Sequence, residues 1–160
     1  MLRNLVFICT LFFSGVGMAE GIFINSYNSL SDRYAILDEQ DESAVLYLSE
    51  KGSQRPIKDA FAYMRIEPID IDSWKDRMKA GEPPVLHKEL ASEQAVILTT
   101  KESDFSFTWS NDGDAVSLRY LNQPIAFISI DETFGFSKSV VKDSPVVNLW
   151  NEELFSSLFK

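Results

Sequence analysis

Cysteine is almost absent: the 160-residue chain has one, Cys9, and it lies in the apolar N-terminal stretch. If that stretch is removed, the remaining chain has no thiol, which excludes disulfide staples, cysteine nucleophiles and cysteine metal sites. Histidine is as scarce, with His87 alone, so no site built on two imidazoles can form and a Ser-His-Asp triad would hang on that one residue. Basic residues are few, 15 against 24 acids, for a formal charge of −9. That balance repels nucleic acid and anionic lipid surfaces, so neither is expected as a partner. Seven glycines and six prolines, with no repeat, exclude a collagen-like or low-complexity chain. The 45% hydrophobic and 24% charged composition is that of an ordinary globular domain, and a domain of about 150 residues buries roughly 68–70% of its unfolded surface without metal or disulfide.

The one long apolar run is at the N-terminus. Arg3 supplies a positive start, Leu5 to Val16 (LVFICTLFFSGV) an apolar centre, and Gly17-Met18-Ala19 the small residues a signal peptidase reads. The run is shorter than the roughly 20 residues of a membrane span and is broken by glycine, and Ile8 before Cys9 does not fit a lipoprotein. The expectation is a signal peptide over residues 1–19, cleaved after Ala19, with one domain over residues 20–160 that is periplasmic or secreted and does not insert in the membrane. Of the charged residues only Arg3 is then lost, which leaves the exported chain one unit more negative than the whole.

Past residue 20 the chain reads as short strands and turns. Arg33 to Leu37 and Ala44 to Leu48 flank the acidic stretch Asp38-Glu39-Gln40-Asp41-Glu42-Ser43, a pattern for a hairpin with a longer loop. Ala60 to Ile66 reads as a third strand. Ser73 is placed to cap a short helix with Asp76 at its third position, Trp74 and Met78 on one face, and Gly81 with Pro83-Pro84 at its end. Gln94 to Thr100 reads as a strand. Phe105 to Trp109 alternates with period two, Ala115 to Leu121 follows the turn Ser110-Asn111-Asp112-Gly113, and Asn122-Gln123 can turn the chain into Pro124 to Ile130. Phe134-Gly135-Phe136 begins another strand. From Val147 to Phe159, capped by Asn148, Trp150, Leu154 and Leu158 recur at helical spacing, and Phe155 and Phe159 widen the stripe. These elements predict an α+β fold, mainly β: an antiparallel sheet of about six to eight strands, a short middle helix, and a C-terminal amphipathic helix packed on the sheet as part of its core.

Catalytic patterns are missing. No G-x-S-x-G, P-loop, H-E-x-x-H or G-x-G-x-x-G occurs. Ser139-Val140-Val141-Lys142 matches S-x-x-K, without the S-D-N or K-T-G that accompany it in penicillin-binding enzymes, and reads as a strand ending in a solvated lysine. His87, beside Pro83-Pro84-Val85-Leu86, reads as an exposed loop histidine. The acids Asp38 to Glu42 lack the glycine-shaped spacing of a calcium loop, and an EF-hand alignment on Gly113 would put Thr108 where an aspartate belongs. Asp70-Ile71-Asp72 and Asp112-Gly113-Asp114 are acid pairs that acidic chains produce readily. No catalytic residue, metal or cofactor is expected.

From Tyr34-Ala35-Ile36-Leu37-Asp38-Glu39 through Ala44 to Leu48, Ile57-Lys58-Asp59-Ala60-Phe61-Ala62-Tyr63, Trp109-Ser110-Asn111-Asp112-Gly113, Pro124-Ile125-Ala126-Phe127 and Gly135-Phe136, the chain resembles a family of short uncharacterised bacterial proteins. Those proteins share an acidic hairpin, an I-x-D-A-x-x-x-Y strand and a W-S-x-D-G turn followed by P-x-A-x-F. The resemblance spans residues 33 to 150 and departs at Phe136-Ser137-Lys138, where a polar or cysteine-containing run is expected. It implies a shared fold and transfers no activity or site.

Export, small size, acidity and the missing catalytic set point to a non-enzymatic binding or inhibitor protein, in the style of immunity proteins or lysozyme inhibitors, covering a basic envelope or secreted partner. The expected contacts are Asp38, Glu39, Asp41 and Glu42 on one hairpin tip and Asp112 and Asp114 on another, where carboxylates would steer a cationic partner. The same acids also serve as a hydration surface. Two other readings stand beside this one: a structural or assembly component of the cell envelope, and a small cell-wall hydrolase working through paired carboxylates.

Overall fold

The computed structural model describes residues 21–160; the segment read as a signal peptide, including Cys9, lies outside them. Among the described residues the fold is mainly β with two α-helices, and nine strands divide between two sheets. The first is an antiparallel meander of β1 (Phe23–Asn28), β2 (Arg33–Glu39), β3 (Ser43–Ser49) and β4 (Pro56–Met64). The second runs β5 (Phe105–Trp109), β6 (Ala115–Tyr120), β7 (Gln123–Ser129), β8 (Phe136–Ser137) and β9 (Asn148–Leu149), antiparallel except for its last pair.

Alternation along the strands builds the core between the sheets. Ala35 and Leu37, Leu46 and Leu48, and Ala60 and Ala62 turn inward from the first sheet to meet Val116, Leu118, Ala126 and Ile128 of the second. The small side chains permit close approach. At Gly135 a Cβ would collide with the Ala60 side chain and the Asp59 carbonyl oxygen, and that oxygen accepts the Gly135 N–H at 3.1 Å. The second sheet is thereby tied to β4.

The first sheet has an opposite face. Ile36 and Asp38 on β2, Val45 and Tyr47 on β3, and Asp59 and Phe61 on β4 occupy its paired outward positions. Part of that face is covered by a second apolar cluster, in which Phe61 packs with Val85, Leu86, Leu90, Val140 and Val147. Helix α1 (Ile71–Ala80) lies beside this cluster through the half-buried Trp74. Its cap is Asp70, not Ser73: the Asp70 carboxylate accepts from the Ser73 N–H at 2.9 Å and the Ser73 hydroxyl at 2.8 Å, while Gly81 ends the helix at φ 69° as glycine C-caps do.

Three sequence expectations need correction. Gln94 to Thr100 forms no strand; Val96 makes a single parallel bridge to Met64, and Thr100 is drawn away by a 2.7 Å bond from its hydroxyl to Glu39. The turn after β6 falls one residue earlier than read, at Leu121 and Asn122, whose φ values of 46° and 65° suit a two-residue hairpin loop. The C-terminal helix is shorter: α2 spans Glu152–Leu158 and is capped by Asn151, whose side chain accepts from the Leu154 N–H at 2.9 Å. Asn148 is instead in β9, beside Phe136. No residue of α2 is buried, yet the helix rests on the sheet, because Phe127 meets Phe155 at 5.6 Å, Phe159 at 6.0 Å and Trp150 at 5.0 Å between ring centroids. Among the described residues no helix is long and apolar enough to cross a membrane.

Candidate binding cavity

The acids singled out in the sequence do not form one surface. Glu39 and Arg33 are the two ends of β2, which at about 3.3 Å per residue puts them roughly 20 Å apart. Asp114 belongs to the Arg33 end, paired to that guanidinium at 3.0 Å. Beside it, exposed Asp112 shapes the hairpin turn: its carboxylate accepts from the Ser110 hydroxyl at 2.6 Å and the Asp114 N–H at 3.0 Å, and the Ser110 bond holds its pKa below the usual carboxylate range. The other four acids are at the opposite end, where β2 runs on to Glu39 and shortens the loop to Gln40-Asp41-Glu42.

Within that second group the roles diverge. Glu39 is not a solvated loop acid. It is 4% exposed, and its carboxylate takes the Tyr63 hydroxyl, the Thr100 hydroxyl at 2.7 Å, the Ile22 N–H at 3.4 Å and Arg65 at 3.4 Å. Burial, and then the bond to Glu39, push the Tyr63 phenol far up. Glu42 clasps Arg77 of α1 through both guanidinium nitrogens, so it positions the helix. Asp41 faces solvent and Asp38 and Glu42 do so in part, and a polar hollow of about 450 Å³ is lined by Gly21, Glu39 to Ser43 and Pro83.

A larger cavity, about 540 Å³, opens on the outward face of the first sheet. Its volume is within the range of small-molecule and side-chain pockets. Val45, Tyr47, Asp59 and Phe61 make the floor, and α1 contributes Trp74 and Met78. Pro84, Val85, Leu86, His87 and Leu90 form one wall, and Lys142, Asp143, Ser144, Pro145 and Val146 form the facing lip. Each part is placed by backbone or side-chain bonds. Trp74 donates its indole N–H to the Val85 carbonyl at 3.0 Å, Ser43 anchors the Pro84 carbonyl at 2.6 Å, and Val141 N–H reaches the Leu90 carbonyl at 2.9 Å, which brings the lip to the wall.

His87 and Asp59, both lining this cavity, have side-chain polar atoms that the fold leaves without a partner. His87 is not an exposed loop residue: it is 8% exposed, its ring stands edge-on to Trp74 at 5.1 Å, and its Nδ1 is covered without a hydrogen-bond partner. Asp59 enters none of the ion pairs among the described residues. The apolar wall beside it pushes its carboxyl above the usual range, and burial, followed by the charges of Asp38 and Asp59, raises the Tyr47 phenol as well.

The serine hydroxyls of Ser139 and Ser144 are committed elsewhere. Ser144 accepts the Val147 N–H and donates to the Val147 carbonyl, both at 3.1 Å. Ser139, of the S-x-x-K match, is 2% exposed and donates to the Ala62 carbonyl at 2.6 Å. Sequence reasoning missed the cavity because its walls are far apart in the chain. The signal that could have found it is Asp59, an acid that shares the outward register of its strand with the apolar Phe61. Comparison with family models, with curated proteins and with solved structures finds no match to this chain.

Proposed function

We propose that the chain is an exported, non-enzymatic binding protein of the immunity-protein or enzyme-inhibitor kind, which holds a basic envelope or secreted partner through the 540 Å³ cavity rather than through the acidic hairpin tips. The cavity carries the reading: apolar walls offer burial to a protruding side chain, and an unpaired carboxylate on the floor offers it a charge partner. Hot spots of this kind, a pocket that desolvates one anchor within a polar rim, supply most of the energy of protein recognition. The net negative charge supports a basic partner by raising its rate of encounter. Asp38 and Asp41 retain a steering role, whereas Glu39, Glu42, Asp112 and Asp114 are engaged within the fold.

The test is parallel capture from an envelope extract with the wild-type protein and two variants. Met78→Trp fills the cavity mouth from a position that is 46% exposed, and Asp38→Asn with Asp41→Asn removes the steering charges. A basic protein retained by the wild type, lost with Met78→Trp and bound more slowly by the double amide is the expected result. Retention by Met78→Trp with an unchanged rate sinks the reading.

A second reading, an assembly component of the envelope, is favoured by the outer edge of β1, unpaired among the described residues, where Phe23 is 61% and Tyr27 49% exposed. It predicts that Phe23→Lys abolishes a self-association measurable by sedimentation, while the cavity variant leaves it intact.

A further inference from the structure

We infer that the group the cavity accepts is an organic cation on an apolar body: an ammonium or guanidinium set among Tyr47, Phe61 and Trp74 and held by Asp59. This inference rests on the binding role given to the same cavity. Three aromatic side chains and a carboxylate around one hollow are the chemistry that recognises organic cations, since ring faces and carboxylate both present negative potential. The charges at the opening agree. Asp59 and Asp143 face one cation, Lys142, which is exposed and paired with neither.

The fold does not neutralise Asp59 itself. It lies directly across the ladder from Tyr47, and its backbone is pinned by Gly135, so the residue is fixed on the cavity floor while its exposed carboxylate has no partner in the fold. Asp143 is already ordered, accepting the Leu149 N–H at 2.8 Å. An anionic ligand would meet two carboxylates against one exposed lysine. A neutral apolar ligand would leave Asp59 desolvated and without a partner, which costs more than leaving it at an open surface. A cation avoids both costs.

The experiment is calorimetric titration of the purified exported protein with three probes of matched size: 4-phenylbutylamine, 4-phenylbutanol and 4-phenylbutyrate. The expected order is amine, alcohol, carboxylate, with the amine about tenfold tighter than the alcohol at low salt and the margin shrinking as salt rises. Asp59→Asn should abolish the amine's margin over the alcohol, by weakening the amine and relieving the alcohol of the desolvation cost, and Lys142→Ala should strengthen the amine alone. Thermal unfolding of both variants confirms that they are folded. Equal binding of amine and alcohol, or tightest binding of the carboxylate, overturns the cation preference. If in that case Met78→Trp still abolishes binding, the cavity keeps its role and only the charge assignment falls. No binding of any probe at millimolar concentration overturns the inference, and the binding role falls with it only if partner capture also ignores Met78→Trp. A short peptide with one arginine between apolar residues, titrated in parallel, separates the sources of the cation: tighter binding than the amine assigns it to a protein partner, weaker binding to a small molecule.

Discussion

Glu39 and Asp59 are carboxylates on the same sheet, one at the end of β2 and the other in the middle of β4, and the fold treats them in opposite ways. Around Glu39 the molecule is closed: a phenol, a hydroxyl, a backbone N–H and a guanidinium converge on a group that is 4% exposed. Around Asp59 it is open, with aromatic walls, a buried imidazole nitrogen lacking a partner, and, among the described residues, no cation within ion-pair distance. Satisfied polar networks hold a fold together, whereas polar groups left unmet beside an apolar hollow are what a binding site retains for its ligand. Charge density in a sequence therefore does not tell which acids the fold engages: in the dense cluster Glu39 and Glu42 are bound within it, while Asp41 and part of Asp38 stay open to solvent.

Breaking the closed side should cost most. Glu39→Ala strands Arg65 and the Tyr63 hydroxyl in a desolvated place, and losing one partner of a buried charged pair costs about 3–5 kcal/mol. Chemical denaturation should show the loss as a lower midpoint with an unchanged slope. A midpoint near the wild type's would mean that the network is ornamental and the contrast with Asp59 unfounded. Gly135→Ala tests the joint between the two regions. Its Cβ would meet Ala60 and the Asp59 carbonyl oxygen, an overpacking expected to cost roughly 1–3 kcal/mol. Because the same contact sets the cavity floor, Gly135→Ala should also weaken 4-phenylbutylamine, which Glu39→Ala should not.

The strands carried by strict alternation, Phe105–Trp109 and Ala115–Tyr120, and the first hairpin were legible, since period two and a polar turn suffice to specify a half-buried strand. β1 was not: Phe23 to Asn28 alternates in burial, but its inward positions Ser26 and Asn28 are polar. Ser26 is inward because its hydroxyl accepts the Trp109 indole N–H at 3.0 Å, across 83 positions of sequence. Gln94 to Thr100 shows the converse, since its β-branched residues meet only the end of the edge strand β4, pair once with Met64 and stop, with Thr100 bound to Glu39. Of the site, the two acid clusters were legible as residues but not as roles, because whether a carboxylate is buried depends on what the second sheet and α1 bring to it.

A moderate effect is expected at the C-terminus. Trp150 is half-buried, edge-on to Phe127 and under the Lys138 ammonium at 4.5 Å. A fully buried tryptophan truncated to alanine costs about 3–5 kcal/mol, and partial exposure brings the expectation for Trp150→Ala down to about 2 kcal/mol. A loss at the full value would make α2 as much a part of the core as the sheets.

The smallest effect sharpens the comparison furthest, because its sign is opposite. Burial raises the pKa of Asp59 in the folded protein above its value in the unfolded chain. At pH below the ordinary aspartate range both states hold the neutral acid, and Asp59 contributes no penalty. As pH rises through that range and then through the raised folded value, the unfolded state releases its proton more readily, so the wild-type protein loses stability and stays reduced at neutral pH. An amide in its place has no proton to lose. Asp59→Asn should therefore match the wild type near pH 3 and be the more stable protein at pH 7. The gain should be below about 1 kcal/mol, since Asp59 is exposed on one side and solvent screens much of the penalty. Glu39→Gln should show no such gain, because its carboxylate has partners to lose. Denaturant midpoints of the two amide variants against pH provide the measurement: opposite signs at pH 7 are the expected outcome, and a shared sign would show that the fold makes no distinction between a carboxylate it uses and one it leaves for a ligand.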